Sequence, residues 1–391
     1  MKPRPIIRRL KLYRVKIPLR QLYVSSMYVM KCVFRTVIEL ETDDGCTGLG
    51  ETGGTQEVFQ LTAQMARRFL RRDPLERLPL QQSFAASVFE NRNGRNGWSA
   101  YGGLELALWD WAGHHFSLPA CALIGEPKRE WIDVVCPVPA VVLDLPVDRS
   151  ALPSLFRQHE RIAAVVEYCL QQKRQFGFTC FKYKSAGIDS EWDLRVMRAL
   201  RRSLKKETLL RWDPNAAYPI AQATTLCGWM EDLGLEFYED PTDDISGMAA
   251  LRARVRTPVA TNMCVVQLDQ LASAIRHRPA DILLADVYMW GGIENYLTMA
   301  ASAEAYGFEV AIHSLFETGI GTAANLHLAA ALRQIRRAND SGFHILESDV
   351  VQEGPLCVEN GRMRVPDGPG WGVALNVSAL AQLSVEQLEV T

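Results

Sequence analysis

The chain has 391 residues, of which 48% are hydrophobic and 23% are charged, and this length accommodates a full barrel domain together with a smaller second domain. Its formal net charge of −2 provides no general attraction for nucleic acid or for an anionic membrane surface. No apolar run reaches the roughly 18 residues that a membrane-spanning helix needs. The nine cysteines, an odd number without a C-x-x-C pair, predict reduced thiols in a cytoplasmic protein.

The N-terminal part of the chain predicts an antiparallel sheet followed by helices. Residues 1 to about 60 alternate between apolar and polar side chains, and Asp43-Asp44-Gly45 is a favoured hairpin turn. Helical periodicity follows in QEVFQLTAQMARRFLRR and in WSAYGGLELALWDWAGHHF. This α+β pattern extends over residues 1–130.

One glycine-rich segment needs a separate interpretation. The segment Gly48-Leu-Gly50-Glu-Thr-Gly53 matches G-x-G-x-x-G, but it ends a predicted hairpin rather than the first strand of a βαβ unit. It also lacks a strand-end acid about 20 residues later that would bind a ribose. We therefore do not expect a dinucleotide site there.

From Trp131 the pattern changes to short apolar strands that alternate with helices. The strand-like VVCPVPAVV begins this region, and the alternation continues as far as FHILESDV. Such alternation favours a parallel sheet, and we predict a (β/α) barrel over residues 131–354. The tail GRMRVPDGPGWGVALN is rich in Gly and Pro and returns to short extended structure.

Oxygen-bearing side chains lie at the ends of successive predicted strands: Asp213 in LLRWDPN, Glu239 in LEFYEDP and Asn262 in PVATNM. Their separations (239 − 213 = 26; 262 − 239 = 23) are each typical of one βα unit. Because the carboxyl ends of barrel strands meet at one mouth, these oxygens should converge, and oxygen ligands suit Mg²⁺ or Mn²⁺ better than zinc. Each residue alone could instead cap the next helix, an alternative that weakens when such residues recur on consecutive strands.

Lys182 and Lys184, in FTCFKYKSAG, lie one repeat upstream. Residues two apart in a strand face the same side, so both lysines should point into the barrel. An exposed edge strand is the alternative for a K-x-K pair, but here the flanking residues are apolar. Because desolvation and mutual repulsion lower the pKa of a buried lysine, we expect a lysine base that works near neutral pH.

Asp286, in DILLADVYMWGG, and His313, in EVAIHSLFETG, are separated by one further repeat (313 − 286 = 27). An aspartate on the neighbouring strand can orient an imidazole and raise its basicity. A core histidine with a satisfied hydrogen bond is the alternative. The pair is therefore a candidate acid/base group at the same barrel mouth.

Further polar residues are candidates for contact with a substrate. Arg211 and Asn215 share the inward face with Asp213. Glu317 and Glu347 follow the predicted seventh and eighth strands. We favour Glu347 of these two, because it ends the predicted strand FHILE.

As a set, these segments resemble the enolase superfamily, in its mandelate racemase and muconate lactonizing enzyme branch. FKYK, WDPN, EDP, ATNM, the D…WGG segment and HS…E…G occur here in that family's order, and the asparagine of ATNM is similar to the glucarate dehydratase subgroup. The resemblance implies a modified TIM barrel, (β/α)7β, over residues 131–354. It also implies that residues 1–130 form an α+β capping domain, which residues 355–391 complete.

The resemblance also implies a metal site and a loop over it. Asp213, Glu239 and Asn262 would bind Mg²⁺, with Mn²⁺ as an alternative. The loop QLYVSSMYVM, which contains Tyr28, would close over the substrate and help to select it.

In the same way, the resemblance assigns acid/base roles. Lys184 would be one acid/base group, and Lys182 would be its electrostatic neighbour. His313, oriented by Asp286, would act on the opposite face of the substrate.

The implied reaction is proton abstraction next to a carboxylate, through an enediolate, followed by loss of a β-hydroxyl to give a 2-keto-3-deoxy acid. The expected substrate is therefore a small acid sugar, and we also predict a homo-oligomer. Racemisation or epimerisation is an alternative, because bases on both faces permit it, and a lactone cycloisomerase is another. A barrel that binds a metal without catalysis is the alternative outside the enzymes.

Overall fold

The structure, a computed structural model, describes residues 4–77, 80–81, 94–144, 147–156, 158, 160–354 and 356–391. Its first sheet is antiparallel, with the strands β1 (Ile7–Val24), β2 (Val29–Thr42), β3 (Thr47–Gly53) and β13 (Ser384–Val390) in the order β13-β1-β2-β3. The helices α1 (Gln56–Phe69) and α2 (Gly94–Phe116) pack against this sheet. The C-terminal strand thus joins the N-terminal sheet.

The glycines of the G-x-G-x-x-G segment have a packing role. A Cβ atom at Gly48 would lie 2.2 Å from the carbonyl oxygen of Ala107, and one at Gly50 would lie 2.2 Å from that of Gly103. Ala107 and Gly103 belong to α2, so the two glycines of β3 let strand and helix approach closely.

The second sheet forms a parallel, nearly closed barrel, which confirms the predicted fold class. Its parallel strands are β4 (Trp131–Val138), β5 (Cys180–Lys184), β6 (Leu209–Asp213), β7 (Phe237–Glu239), β8 (Val259–Thr261), β9 (Ile282–Ala285), β10 (Glu309–Ile312) and β11 (Asn339–Asp340). β12 (Arg362–Arg364) adds to β4 in antiparallel orientation. A bridge between Val310 of β10 and Ile335, which precedes β11, brings the two ends of the sheet order close together.

Most of the remaining helices connect the barrel strands, whereas the first precedes β4 and the last follows the barrel and packs against β1. They are α3 (Ala120–Ile124), α4 (Leu152–Leu155), α5 (Glu160–Phe176), α6 (Ser190–Ser203), α7 (Ile220–Met230), α8 (Ile245–Arg252), α9 (Leu271–His277), α10 (Ile293–Ala305), α11 (Gly319–Ala331) and α12 (Val377–Leu383). Side-chain caps define several of their starts: Asp189 accepts from two backbone N–H groups of α6, and Thr318 accepts from the N–H of Ile320 in α11. No helix in the described part of the chain is long and apolar enough to cross a membrane.

The predicted strand FHILE is wrong. Phe343–Ile345 form a 3-10 turn, and the eighth barrel strand is β11, which pairs with β4 through Asn339 and Asp340. Ile345 and Leu346 are buried in the hydrophobic core, where Leu346 bridges Leu19 of β1, so the apolar run reflects core packing rather than a strand. The domain boundaries at residues 130 and 355 stay predictions.

Candidate active site

The predicted site residues converge at the carboxyl ends of the barrel strands. One cavity there has a volume of about 140 Å³, and its lining includes Lys182, Lys184, Asn215, Asn262, His313 and Tyr28. The strand register explains this convergence, because Lys182 lies beside Arg211 and Lys184 lies beside Asp213 on the neighbouring strand. Strand ends far apart in the sequence therefore meet at one opening.

Each buried lysine faces carboxylates. The Nζ of Lys182 lies 3.1 Å from both carboxylate oxygens of Glu239 and also pairs with Asp340. The Nζ of Lys184 pairs with Asp213 and lies 3.2 Å from the Oδ1 of Asn215. Both ammonium groups are therefore compensated by charge inside the barrel.

The expectation of lowered lysine pKa values is wrong for these contacts. Burial by itself lowers the pKa of Lys184, but the neighbouring acidic groups, chiefly the carboxylate of Asp213, together outweigh burial and leave that pKa above its ordinary value. Burial acts in the same direction on the pKa of Lys182, and Asp340 and Glu239 together outweigh it. Desolvation and mutual repulsion do act on both lysines, but the opposite charges of the carboxylates dominate at these distances.

The candidate metal ligands form a buried oxygen cluster. Asp213 and Glu239 are fully buried, and the side-chain amide of Asn262 lies 2.6 Å from the Oε1 of Glu239. A half-turn of that amide would present its oxygen instead of its nitrogen, because the two atoms are nearly interchangeable in shape. Two carboxylates and an amide, without a thiol, fit the donor preference of a hard divalent cation.

Charge at this cluster is divided unequally between the two carboxylates. Burial raises the pKa of Asp213, but Lys184 and Lys182 outweigh burial and hold it below its ordinary value. Burial, and then the charge of Asp213, raise the pKa of Glu239 well above its ordinary value. A divalent cation would relieve the repulsion between these two acids.

The His313 and Asp286 side chains face each other. The Nδ1 of His313 lies 3.5 Å from the Oδ2 of Asp286, and both residues are buried. The other carboxylate oxygen of Asp286 accepts from the backbone N–H groups of Tyr288, at 2.9 Å, and Met289, at 2.7 Å. The loop after β9 thus fixes the aspartate, and the Nε2 of His313 is the ring nitrogen that remains for chemistry.

Asp340, at the end of β11, belongs to the site and was missed by the sequence interpretation. Its carboxylate pairs with Lys182 and lies 3.3 Å from Arg211, and it lines the cavity. Glu239, His313 and Asp340 each bring a potential ligand atom within 4.8 Å of one another. The available signal was spacing, since 340 − 313 = 27 repeats the interval 313 − 286 = 27.

The remaining candidates divide into those near the cavity and those away from it. Arg211 is fully buried and pairs with Glu236 at 2.7 Å. It does not line the cavity but contacts Asp340, which does. Glu317 is also buried, and it accepts hydrogen bonds from Ser314 and from the N–H of Leu315. Glu347 is exposed and lines a separate groove of about 480 Å³. The structure therefore does not bring Glu347 to the predicted site, because the strand that was to carry it does not form.

The loop that contains Tyr28 covers one side of the cavity. Tyr23, Met27 and Tyr28 line the cavity, and Met27 is exposed. Arg149, which follows β4, donates to the backbone oxygen of Ser26 and connects this loop to the barrel.

Comparisons with known proteins agree over nearly the whole chain. Residues 8–125 match the model described as "Mandelate racemase / muconate lactonizing enzyme, N-terminal domain", and residues 164–379 match that described as "Enolase C-terminal domain-like". A protein of Streptomyces coelicolor named "Probable glucarate dehydratase" is 29% identical over 89% of this chain and 84% of its own. The D-galactarolactone cycloisomerase of Agrobacterium fabrum is 27% identical over 88% of this chain and 90% of its own.

Solved structures with a similar fold come from the same group of proteins as these sequence matches. An enolase from Streptomyces coelicolor has a TM-score of 0.88 and 31% identity, and the match covers 97% of this chain and 96% of that one. An enolase from Thermobispora bispora, complexed with magnesium and formate, has a TM-score of 0.86 and 28% identity over 97% of this chain and 92% of that one.

Proposed function

This chain belongs to the enolase superfamily, and we propose that it is a Mg²⁺-dependent dehydratase of acid sugars, that is, of aldonates or aldarates. The reaction removes the proton next to the substrate carboxylate, expels the β-hydroxyl and yields a 2-keto-3-deoxy acid. One observation carries the proposal: Lys184 and His313 line the same cavity as Asn262. The cavity thus has two proton-transfer groups beside one candidate metal position.

Asp213, Glu239 and Asn262 are the residues that would hold the metal. When bound there, Mg²⁺ would supply positive charge where a second negative charge develops on the substrate carboxylate. The set Glu239, His313 and Asp340 is less suitable, because an imidazole nitrogen suits this hard cation less well than a carboxylate or amide oxygen. The magnesium in the Thermobispora bispora enolase supports the choice of metal.

Lys184 and His313 are the side chains that transfer protons in this proposal. Lys184 carries its reactive Nζ on β5, whereas His313 follows β10, so the two groups approach a bound acid from different strands. One of them accepts the proton next to the carboxylate, according to the configuration of the substrate. For Lys184 to do so, a cation on Asp213 would have to take up the negative charge that otherwise raises the pKa of the lysine. Protonated His313 can then donate from Nε2 to the departing hydroxyl, while the Lys182 ammonium stabilises negative charge on the substrate.

The cavity favours a compact acid. A volume of about 140 Å³ is comparable with the engineered protein cavities of roughly 150 Å³ that bind benzene. Apolar side chains form much of its wall, namely Met27, Val135, Pro137, Met263, Met289, Leu315 and Phe316. Because buried hydroxyls without partners are costly, these walls suit a short acid sugar better than a six-carbon diacid.

A panel of aldonates and aldarates incubated with the enzyme and Mg²⁺ in D₂O tests the proposal. We expect 2-keto acid formation from at least one member, with deuterium at C3. The variants Lys184→Ala and His313→Asn should each lose at least about 10²-fold in rate. The exposed residues Lys205 and His277 provide matched controls, so Lys205→Ala and His277→Asn should keep wild-type rates.

Other products would assign other reactions. Exchange at the α-carbon or epimers without keto acid would identify a racemase or epimerase and would refute dehydration. Formation or opening of a lactone would identify a cycloisomerase. Wild-type rates in both Lys184→Ala and His313→Asn would show that these groups do not carry the chemistry.

A further inference from the structure

We propose that Arg35 and Glu51, an ion pair from the N-terminal sheet, position the His313–Asp286 pair of the barrel. This inference rests on the proposed function, because it assigns His313 a proton-transfer role. Arg35 lies in β2 and Glu51 in the neighbouring β3, and neither contacts the predicted metal ligands through any described hydrogen bond. They would therefore be positioning residues, which act through the geometry of the histidine.

The pair is completely enclosed. Arg35 is 3% exposed and Glu51 is 0% exposed, and the Nε of Arg35 lies 2.6 Å from the Oε1 of Glu51. A buried ion pair contributes little net stability compared with apolar residues, although loss of one partner is destabilising. Its more specific contribution is to fix the geometry of what it contacts.

Glu51 binds the segment that follows His313. Its carboxylate accepts from the N–H of Thr318 at 2.9 Å, from the hydroxyl of Thr318 at 2.5 Å and from the N–H of Gly321 at 2.8 Å. These groups form the start of α11, where the helix dipole favours negative charge. Glu51 thus fixes the end of the loop that begins at His313.

Arg35 contacts both loops that carry the pair. Its guanidinium donates to the backbone oxygen of Leu315 at 3.4 Å and lies 4.9 Å from the ring centroid of Tyr288. Leu315 follows His313 by two residues, and Tyr288 follows Asp286 by two residues and donates its N–H to that carboxylate. The guanidinium of Arg35 therefore contacts both the loop that follows His313 and the loop that follows Asp286.

The pair needs such support for two reasons. The Nδ1 of His313 and the Oδ2 of Asp286 are 3.5 Å apart and buried, and neither atom has a described hydrogen-bond partner, so their facing arrangement depends on the two loops that carry them. Phe316, between His313 and the start of α11, has a φ of 59°, a strained value for a bulky residue. Constraints on both sides of this residue keep the loop in its conformation.

The described contacts make the effect one-sided. The described polar contacts of Lys184 are to Asp213, the last residue of β6, and to Asn215, and neither of these residues shares a described hydrogen bond with Arg35 or Glu51. Loss of the ion pair should therefore impair proton transfer by His313 and leave transfer by Lys184 largely unchanged.

The test compares solvent-deuterium exchange at the α-carbon for two epimeric acids. His313→Asn identifies the epimer that depends on the histidine, and Lys184→Ala identifies the other. In Glu51→Gln we expect kcat for the histidine-dependent epimer to fall about 10- to 100-fold, with the other epimer within about 3-fold of wild type. Glu386→Gln, at a partly exposed glutamate of the same sheet, is the matched control and should change neither rate.

Two further measurements keep the outcome decisive. Crystal structures of wild type and Glu51→Gln should show the Nδ1–Oδ2 distance between His313 and Asp286 lengthened in the variant, with Lys184 unmoved. Equal losses for both epimers, or an unchanged distance, would overturn the positioning role. If no acid exchanges with wild type, the proposed function fails, whereas the crystal structures still decide the positioning role.

Arg35→Lys, which keeps the charge, should retain more histidine-dependent exchange than Arg35→Gln. Equal rates in these two variants would also overturn the positioning role.

Discussion

Replacement of Asp340 by Asn tests the buried charge network beneath the cavity. Asp340 is 7% exposed and contacts two cations, Lys182 and Arg211. Loss of one partner from a buried ion pair typically costs about 3–5 kcal/mol. Each cation here keeps another carboxylate, since Lys182 lies 3.1 Å from Glu239 and Arg211 lies 2.7 Å from Glu236. We therefore expect the free energy of unfolding to fall by less, about 2–3 kcal/mol.

Urea denaturation followed by circular dichroism measures this loss. The matched control is Asp367→Asn, because Asp367 is an exposed partner of Arg364 at 3.5 Å and surface pairs contribute little. A midpoint for Asp340→Asn equal to that of Asp367→Asn would refute the reasoning, since it would mean that the buried cations do not need the Asp340 charge.

The remaining predictions concern the metal, the effect of pH and the substrate loop. Mg²⁺ at about 100 times its dissociation constant should stabilise the wild type by about 2.7 kcal/mol, and thermal melts of Glu239→Gln should show little of this gain. Burial raises the pKa of Glu105 to about 8, so the folded protein keeps a proton that the unfolded chain loses above about pH 4.5. The free energy of unfolding should therefore decline as the pH rises from about 4.5 to about 8. Urea melts of Glu105→Gln should therefore show a smaller decline between pH 5 and 8, by up to about 1.4 kcal/mol per pH unit; an unchanged slope would contradict this. Tyr28→Ala should raise KM more than it lowers kcat if the loop selects substrate, and a loss confined to kcat would count against that role.

The recurrent spacing of polar residues made most of the site predictable. Asp213, Glu239 and Asn262 each end a short apolar run, and this local signal survives because parallel strands place their carboxyl ends together. The same spacing predicted that His313 and Asp286 lie together, and their side chains approach to 3.5 Å. The family resemblance then supplied roles that spacing alone leaves open.

Other features depend on contacts that a single sequence does not contain. Asp340 was missed because β11 has only two residues and follows the polar run RQIRRA, whereas the apolar FHILE nearby gave a false strand signal. The pKa direction of Lys184 depends on the distance to Asp213, which only the folded register sets. Glu51 and Thr318 are 267 residues apart in the chain, so their hydrogen bond has no local signal at all.

The most direct test of the central claim is a crystal structure with Mg²⁺ and a substrate acid that the enzyme cannot turn over. We predict that Asp213, Glu239 and Asn262 each place an oxygen about 2.0–2.2 Å from the metal. The carbon next to the substrate carboxylate should lie between the Nζ of Lys184 and the Nε2 of His313, with these nitrogens on opposite faces. A metal bound through other residues, or both nitrogens on the same face of that carbon, would contradict the account.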